Sequence, residues 1–189
     1  MAAQRFDPWT QVTTRHGYAA DEVVSALQKS IRRADEALAV RFACEMYLTS
    51  QEMEAFLWKR LMVISVEDIG PANPYLSGLI DSLERMRLHC PYSSGDRALF
   101  AVHAVRALCA SPKSRSNDLM YGLVRRELEA GEGPEIPPYA LDMHTRRGQE
   151  MGRGLEHFLT EASRIVPPAP QDEPHAEALR RYLAKEKEE

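Results

Sequence analysis

Apolar residues recur at intervals of three and four along most of the chain, and the strict alternation of a half-buried strand is nearly absent. The spacing predicts a first helix over 21–34, with Val23, Val24, Leu27, Ile31 and Ala34 on one face and Asp21 at its start. A second follows from Asp35, with Leu38, Phe42 and Met46 spaced by four. Ser50 is placed to cap a third that carries Met53, Phe56, Leu57, Leu61 and Ile64 inward. Gly70-Pro71 ends that run, because glycine tolerates the helix-ending conformation and proline cannot continue the hydrogen-bond ladder. Asn73-Pro74 opens a helix through Leu76, Leu79, Ile80, Leu83 and Met86, and a break follows at 90–95. The next helix, over 96–110, is expected to bury Leu99, Val102, Val105 and Leu108. A short turn at 111–114 precedes a helix that reaches Ala130, and the run 131–138, rich in glycine and proline, is the clearest internal loop. A final helical region over 142–165 is weakened by Gly148, Gly152 and Gly154, each costing about 1 kcal/mol relative to alanine in a helix interior.

Helix hairpins joined by such short connections make an all-α fold the economical architecture, a compact bundle of helical hairpins. The expected organisation is a polar lead over 1–18, a helical domain over 19–166, and a proline-rich linker with a flexible, charged C-terminal tail over 167–189.

Composition narrows the class without changing that picture. The chain has 189 residues, 44% of them apolar and 28% charged, with a net charge of −4, which suits a soluble globular domain and excludes a basic nucleic-acid coat. No apolar stretch approaches the roughly 18 residues of a membrane span, and the N-terminus carries no signal-peptide core, so a cytoplasmic location is expected. Cys44, Cys90 and Cys109 sit in apolar surroundings without Cys-x-x-Cys spacing, as reduced thiols would. No phosphate loop, dinucleotide fingerprint, zinc-protease helix or serine-nucleophile elbow is present, and neither a cofactor nor a metal is expected.

Four polar groupings carry candidate chemistry. Glu67 and Asp68 follow an apolar run, where they suit a metal, an arginine partner or simple pairing with neighbouring guanidiniums. Lys113, Ser114, Arg115 and Ser116 at a helix start suit an anion, or a turn and cap. Asp142, His144, Thr145, Arg146 and Arg147 put a carboxylate, an imidazole, a hydroxyl and two guanidiniums close together. They read as a proton-transfer and phosphate site, or as a helix cap followed by solvated arginines. Lys29 and Arg32, with Lys113, Arg115, Arg146 and Arg147, are the candidate phosphate contacts for nucleic acid.

The residues also carry a resemblance. Lys29-Ser30-Ile31-Arg32, then Val66-Glu67-Asp68-Ile69-Gly70-Pro71-Ala72-Asn73-Pro74, then Pro112-Lys113-Ser114 with Asn117 form one ordered series. It resembles the C-terminal domain of the RarA/MgsA family of AAA+ ATPases, relatives of the Werner helicase-interacting ATPase. There, Lys-Ser-Ile-Arg, Ser-Glu-Asp-Ile-Gly-x-Ala-x-Pro and Pro-Lys-Ser-Asn segments occur in the same order. Here Val66 stands where serine is usual, and Arg115-Ser116 separate Ser114 from Asn117. The resemblance implies an all-helical assembly domain, similar to a clamp-loader collar, without the ATPase module. It further implies a homo-oligomer (dimer or tetramer), an AAA+ ATPase or replication-protein partner, and work at DNA. Glu67, Asp68, Gly70, Pro74, Pro112, Ser114 and Asn117 are then family-motif positions. The initiating methionine, the polar lead and the charged end suggest a stand-alone relative, with a fragment of a longer ATPase as the alternative. Asp142 to Gly154 departs from the family's basic, Gly- and Tyr-containing end.

Overall fold

Short side chains that accept hydrogen bonds from the backbone set the helix starts, and the turns between them are tight. Asp35 accepts from the Leu38 amide to open α2 (Glu36–Thr49), Ser50 from Met53 to open α3 (Gln51–Ile64), and Ser94 from Asp96 to open α5 (Gly95–Ala110). Before them lies α1 (Ala20–Arg32), between them α4 (Leu76–Arg87), and after them α6 (Ser116–Glu129). The structure, a computed structural model, describes residues 8–167 and residues 175, 178, 179, 181, 183 and 184. Among these no β-strand forms; a single bridge pairs Thr13 with Ala19. The fold is all-α, as the periodicity predicts. Most of the tail predicted over 167–189 lies outside the described residues.

The chain forms two compact units, Met1–Glu132 and Gly133–Glu189, divided within the predicted loop 131–138. In the first, α2 packs against α1, α3 and α5, and α4 packs on α5 and α3. The core is Val23, Leu27 and Ile31 of α1, Ala43 and Met46 of α2, Leu57, Trp58 and Leu61 of α3, Ile80 of α4, and Ala104, Val105 and Leu108 of α5. Ahead of α1, Trp9 stacks on Phe56 at 4.2 Å between ring centroids. Among the described residues the second unit includes the short helices α7 (Arg146–Glu150) and α8 (Leu155–His157), the latter continuing as a π-turn over Phe158–Ala162.

Several faces differ from the periodic expectation. Leu38, Leu79, Met86 and Leu99, expected inside, are 41%, 38%, 50% and 63% exposed. In α5 the core side is made of Arg97, Ala101, Ala104, Val105, Leu108 and Cys109, and at about 100° per residue position 99 falls on the opposite face of the helix. The helix predicted over 142–165 is broken, with Gly152 at φ +70° turning the chain between α7 and α8.

A buried ionic cluster ties α3, α4 and α5 together. Glu54 is fully buried and accepts from Arg97 through Nε at 2.9 Å and Nη2 at 2.8 Å, and from Arg87 at 3.1 Å. Arg97 also donates to the Cys90 carbonyl at 2.8 Å, and Arg87 lies 5.4 Å from the Trp58 ring centroid. The Glu54 carboxylate holds the Arg97 guanidinium above its ordinary pKa against the opposing effect of burial. Replacing Glu54 by glutamine leaves the buried Arg97 guanidinium without a carboxylate and Arg87 with Glu84 alone, at 3.6 Å. E54Q is therefore expected to lose about 3–5 kcal/mol of stability, measured by urea denaturation at neutral pH.

Candidate functional site

Asp68 is the point at which the motif residues meet. It lies in a π-turn, Ser65–Ile69, that continues α3, and its side chain is wholly buried. Arg32 at the end of α1 donates from Nε to Oδ1 at 2.6 Å, and Gln28 one turn earlier donates to Oδ2 at 2.9 Å. Arg60 of α3 in turn donates to the Gln28 amide oxygen at 2.6 Å. Arg115 brings its Nε to 3.7 Å from Asp68 and also pairs with Asp118, while Glu67 stands 3.5 Å from Arg32. The hydrogen bond and charge of Asp68 hold the Arg32 guanidinium above its usual pKa.

The main chain repeats these links. The Ser114 amide donates to the Asp68 carbonyl at 2.8 Å, and Asn117 donates from Nδ2 to the Val66 carbonyl at 3.1 Å. Gly70 sits at φ +46°, ψ −127°, and a β-carbon there would stand 2.9 Å from Asn117 Nδ2. Pro74 and Pro112 are exposed turn residues flanking this junction. Three segments distant in sequence are thereby fixed to one carboxylate, and α6 is anchored by its N-terminal end.

Beyond that anchor, α6 has no buried residue. Leu119, Met120, Tyr121, Leu123, Val124 and Leu128 are 42–69% exposed. Consecutive apolar residues at 119–121 were the available signal: one core-facing stripe does not hold three in a row on a helix.

On the other side of α1 runs an open groove of about 700 Å³. Val23, Ala26 and Phe42 line it between α1 and α2, Leu38 and Leu48 line its α2 wall, and His16 and Tyr18 close one end. Glu45, nearly buried, accepts from the His16 amide at 2.9 Å and from its ring Nδ1 at 2.5 Å. Burial works to raise the Glu45 carboxyl, but the hydrogen bonds from the His16 ring and amide outweigh it and hold the group below its ordinary pKa.

The second unit is braced by its own backbone. Asp142 accepts from the His144 amide at 3.0 Å, Thr145 donates to the Asp142 carbonyl and accepts from the Gly148 amide, and His144 meets Phe158 edge to face at 5.1 Å. A β-carbon on Gly148 would stand 1.9 Å from the Asp142 carbonyl oxygen, so only glycine fits. Arg146 pairs with Glu150 at 2.8 Å, while Arg147 is exposed with no ion-pair partner among the described residues.

The remaining candidate cations are occupied internally. Lys29 donates to the Ser25 hydroxyl, and Lys113 donates to the Cys109 and Ser111 carbonyls at the end of α5 while burial lowers its pKa. Burial pushes the Cys109 thiol up to about 11 and raises Cys44, so both stay protonated and poorly nucleophilic at neutral pH. Among the described residues no group of three or more His, Cys, Asp or Glu side chains is placed to hold a metal ion, and no helix is long and apolar enough to cross a membrane.

Two predictions follow from these side chains. D68N removes the charge that Arg32 pairs with, and a loss of about 1.5–3 kcal/mol is expected, read by urea denaturation. Separately, a carboxyl whose folded pKa is depressed contributes stability above its unfolded pKa of about 4.3, and loses it as pH falls through the folded value. The stability gap between wild type and Glu45→Gln is therefore expected to be present at pH 7 and to shrink at about pH 3, measured by denaturant titration at both.

Comparison with known proteins places this geometry. The chain is 31% identical over 147 residues to replication-associated recombination protein A of Bacillus subtilis, covering 76% of the chain and 33% of that protein. It is 28% identical over 151 residues to an uncharacterized AAA domain-containing protein of Mycobacterium tuberculosis, and 24% identical over 140 residues to replication-associated recombination protein A of Haemophilus influenzae. The chain thus spans about a third of the length of these relatives. Residues 34–166 match the family described as the MgsA AAA+ ATPase C terminal, so the chain belongs to that family through its C-terminal helical domain.

Proposed function

We propose that this chain is an assembly and interaction domain, non-enzymatic in itself, that forms homo-oligomers and works with replication or recombination partners. One observation carries the reading: α6 is fixed at its N-terminal end by the Asp68 junction while its apolar side chains stay in water. An apolar patch of this kind marks an interaction surface. A helix of 14 residues is marginal in water unless tertiary packing supports it. Association supplies that packing. The relatives carrying the name replication-associated recombination protein A support the link to replication and recombination.

Direct nucleic-acid binding draws less support. Of its candidate contacts, Arg32, Arg115 and Arg146 face carboxylates, Lys29 and Lys113 face a hydroxyl or carbonyls, and the net charge is −4.

Size-exclusion chromatography with light scattering tests the proposal. The wild type is expected at a multiple of 21.4 kDa, and the double substitution L119E/L123E is expected at the monomer mass with unchanged helical circular dichroism. A wild type that stays monomeric at high concentration overturns the proposal.

A further inference from the structure

Ahead of α1 the chain doubles back over residues 13–19, and this loop supplies His16 and Tyr18 to one end of the α1–α2 groove. The loop carries its own bonds. The Thr14 amide donates to the Tyr18 carbonyl at 2.8 Å and the Gly17 amide to the Thr14 carbonyl at 2.9 Å, with Gly17 turning the chain at φ +81°. A bridge pairs Thr13 with Ala19 at the base.

The flanks and the tip are held by different forces. On one side Trp9 stacks on Phe56 and Val12 packs against the core; on the other Ala20 is wholly buried. The tip, residues 15–18, is exposed, and polar bonds tie it to α2. The Arg15 amide donates to the Thr49 hydroxyl at 3.0 Å, and Glu45 takes both the amide and the ring of His16. A segment held in this way opens locally, while the packed body stays folded.

Glu45 is the group that decides the balance. A nearly buried carboxylate is costly unless its oxygens are satisfied. Each oxygen of Glu45 accepts one bond, and both donors belong to His16. Lifting the tip removes the two together. The amide bond does not depend on the ring's charge, whereas an imidazolium adds an ionic attraction that a neutral imidazole, donating from the same nitrogen, lacks. The other ionisable side chains on the loop and along the groove are Arg15, Tyr18, Glu22, Arg41 and Cys44. Among the described residues none of them forms an ion pair with His16 or Glu45.

We infer that residues 13–19 form a latch over one end of the groove, locked by the His16–Glu45 pair, and that the charge on this pair sets how often the latch opens. Opening carries His16 and Tyr18 off the groove and leaves the helices packed. Closure is firmest with the ring charged and the carboxylate ionised. It loosens as the ring gives up its proton at higher pH, and again as Glu45 gains one at low pH.

Amide hydrogen exchange of the full chain under native conditions, followed by NMR, tests the latch. The Arg15 and His16 amides, whose acceptors lie on α2, are expected to share one protection factor, below that of Leu57 and Leu108 in the core. Across the usual imidazole range, from about pH 5 to about pH 8, that factor is expected to fall about fivefold. E45Q is expected to lower it about tenfold at the acidic end of that range. H16Q keeps the amide but cannot be charged, so its factor is expected to match the wild type's value at the basic end and to stay there throughout. If the two amides exchange only together with the core, the loop does not open by itself and the inference fails. If H16Q retains the wild type's pH dependence, another group holds the lock and the inference fails as well. Should E45Q unfold, H16Q decides, because the His16 ring is 63% exposed and its replacement leaves the core intact.

Discussion

The anchorage of α6 to the five-helix core depends on one carboxylate held out of water. Taking an ionised Asp68 into the protein costs several kcal/mol unless its oxygens are satisfied, and Arg32 and Gln28 satisfy them from the last two turns of α1. The π-turn is what permits this. By widening the last turn of α3 it carries Asp68 inward, and its carbonyl remains free to accept from the Ser114 amide. The direction in which α6 leaves the bundle is therefore set by polar contacts at its first turn rather than by packing along its length.

That division separates stability from interaction. The core of α1 to α5 is closed without α6, and the Glu54 cluster locks α3 to α4 and α5 from inside. A helix in the core would have its apolar face consumed, whereas one anchored at an end keeps that face available. The motif residues recognised in the sequence thus act mainly on one another. Asn117 reaches over Gly70 to the Val66 carbonyl, and a side chain at position 70 would press on that amide.

Much of the helix layout was legible because its determinants are local. Asp35, Ser50 and Gly70 act within a few residues, and caps and stops need no tertiary information. Which face turns inward was legible only where one stripe was apolar, as in α1. In α5 apolar residues occur all round the helix, so its own pattern did not single out the face of Ala101, Ala104 and Leu108 over that of Leu99. The Asp68 pairing was visible only as an acid beside a core run. Its partners Gln28 and Arg32 stand 40 and 36 residues away, and no periodicity encodes such a distance. Arg87 and Arg97, flanking the break at Cys90, gave no sign of converging on Glu54.

The cluster at Asp142 shows why a dense run of reactive residue types is weak evidence for a reaction. Catalysis needs groups that converge on a point, with free valences turned toward it. Here the Asp142 carboxylate and the Thr145 hydroxyl are engaged with main-chain groups of their own loop, and Gly148 is needed so that the chain can pass the Asp142 carbonyl. His144 rests against Phe158, and Arg146 is paired with Glu150. The residue types that suggested proton transfer are those that build a tight, self-supporting turn, because short side chains with oxygen acceptors serve both purposes. Arg147 has no ion-pair partner among the described residues, and a single exposed guanidinium is a contact point rather than a reaction centre.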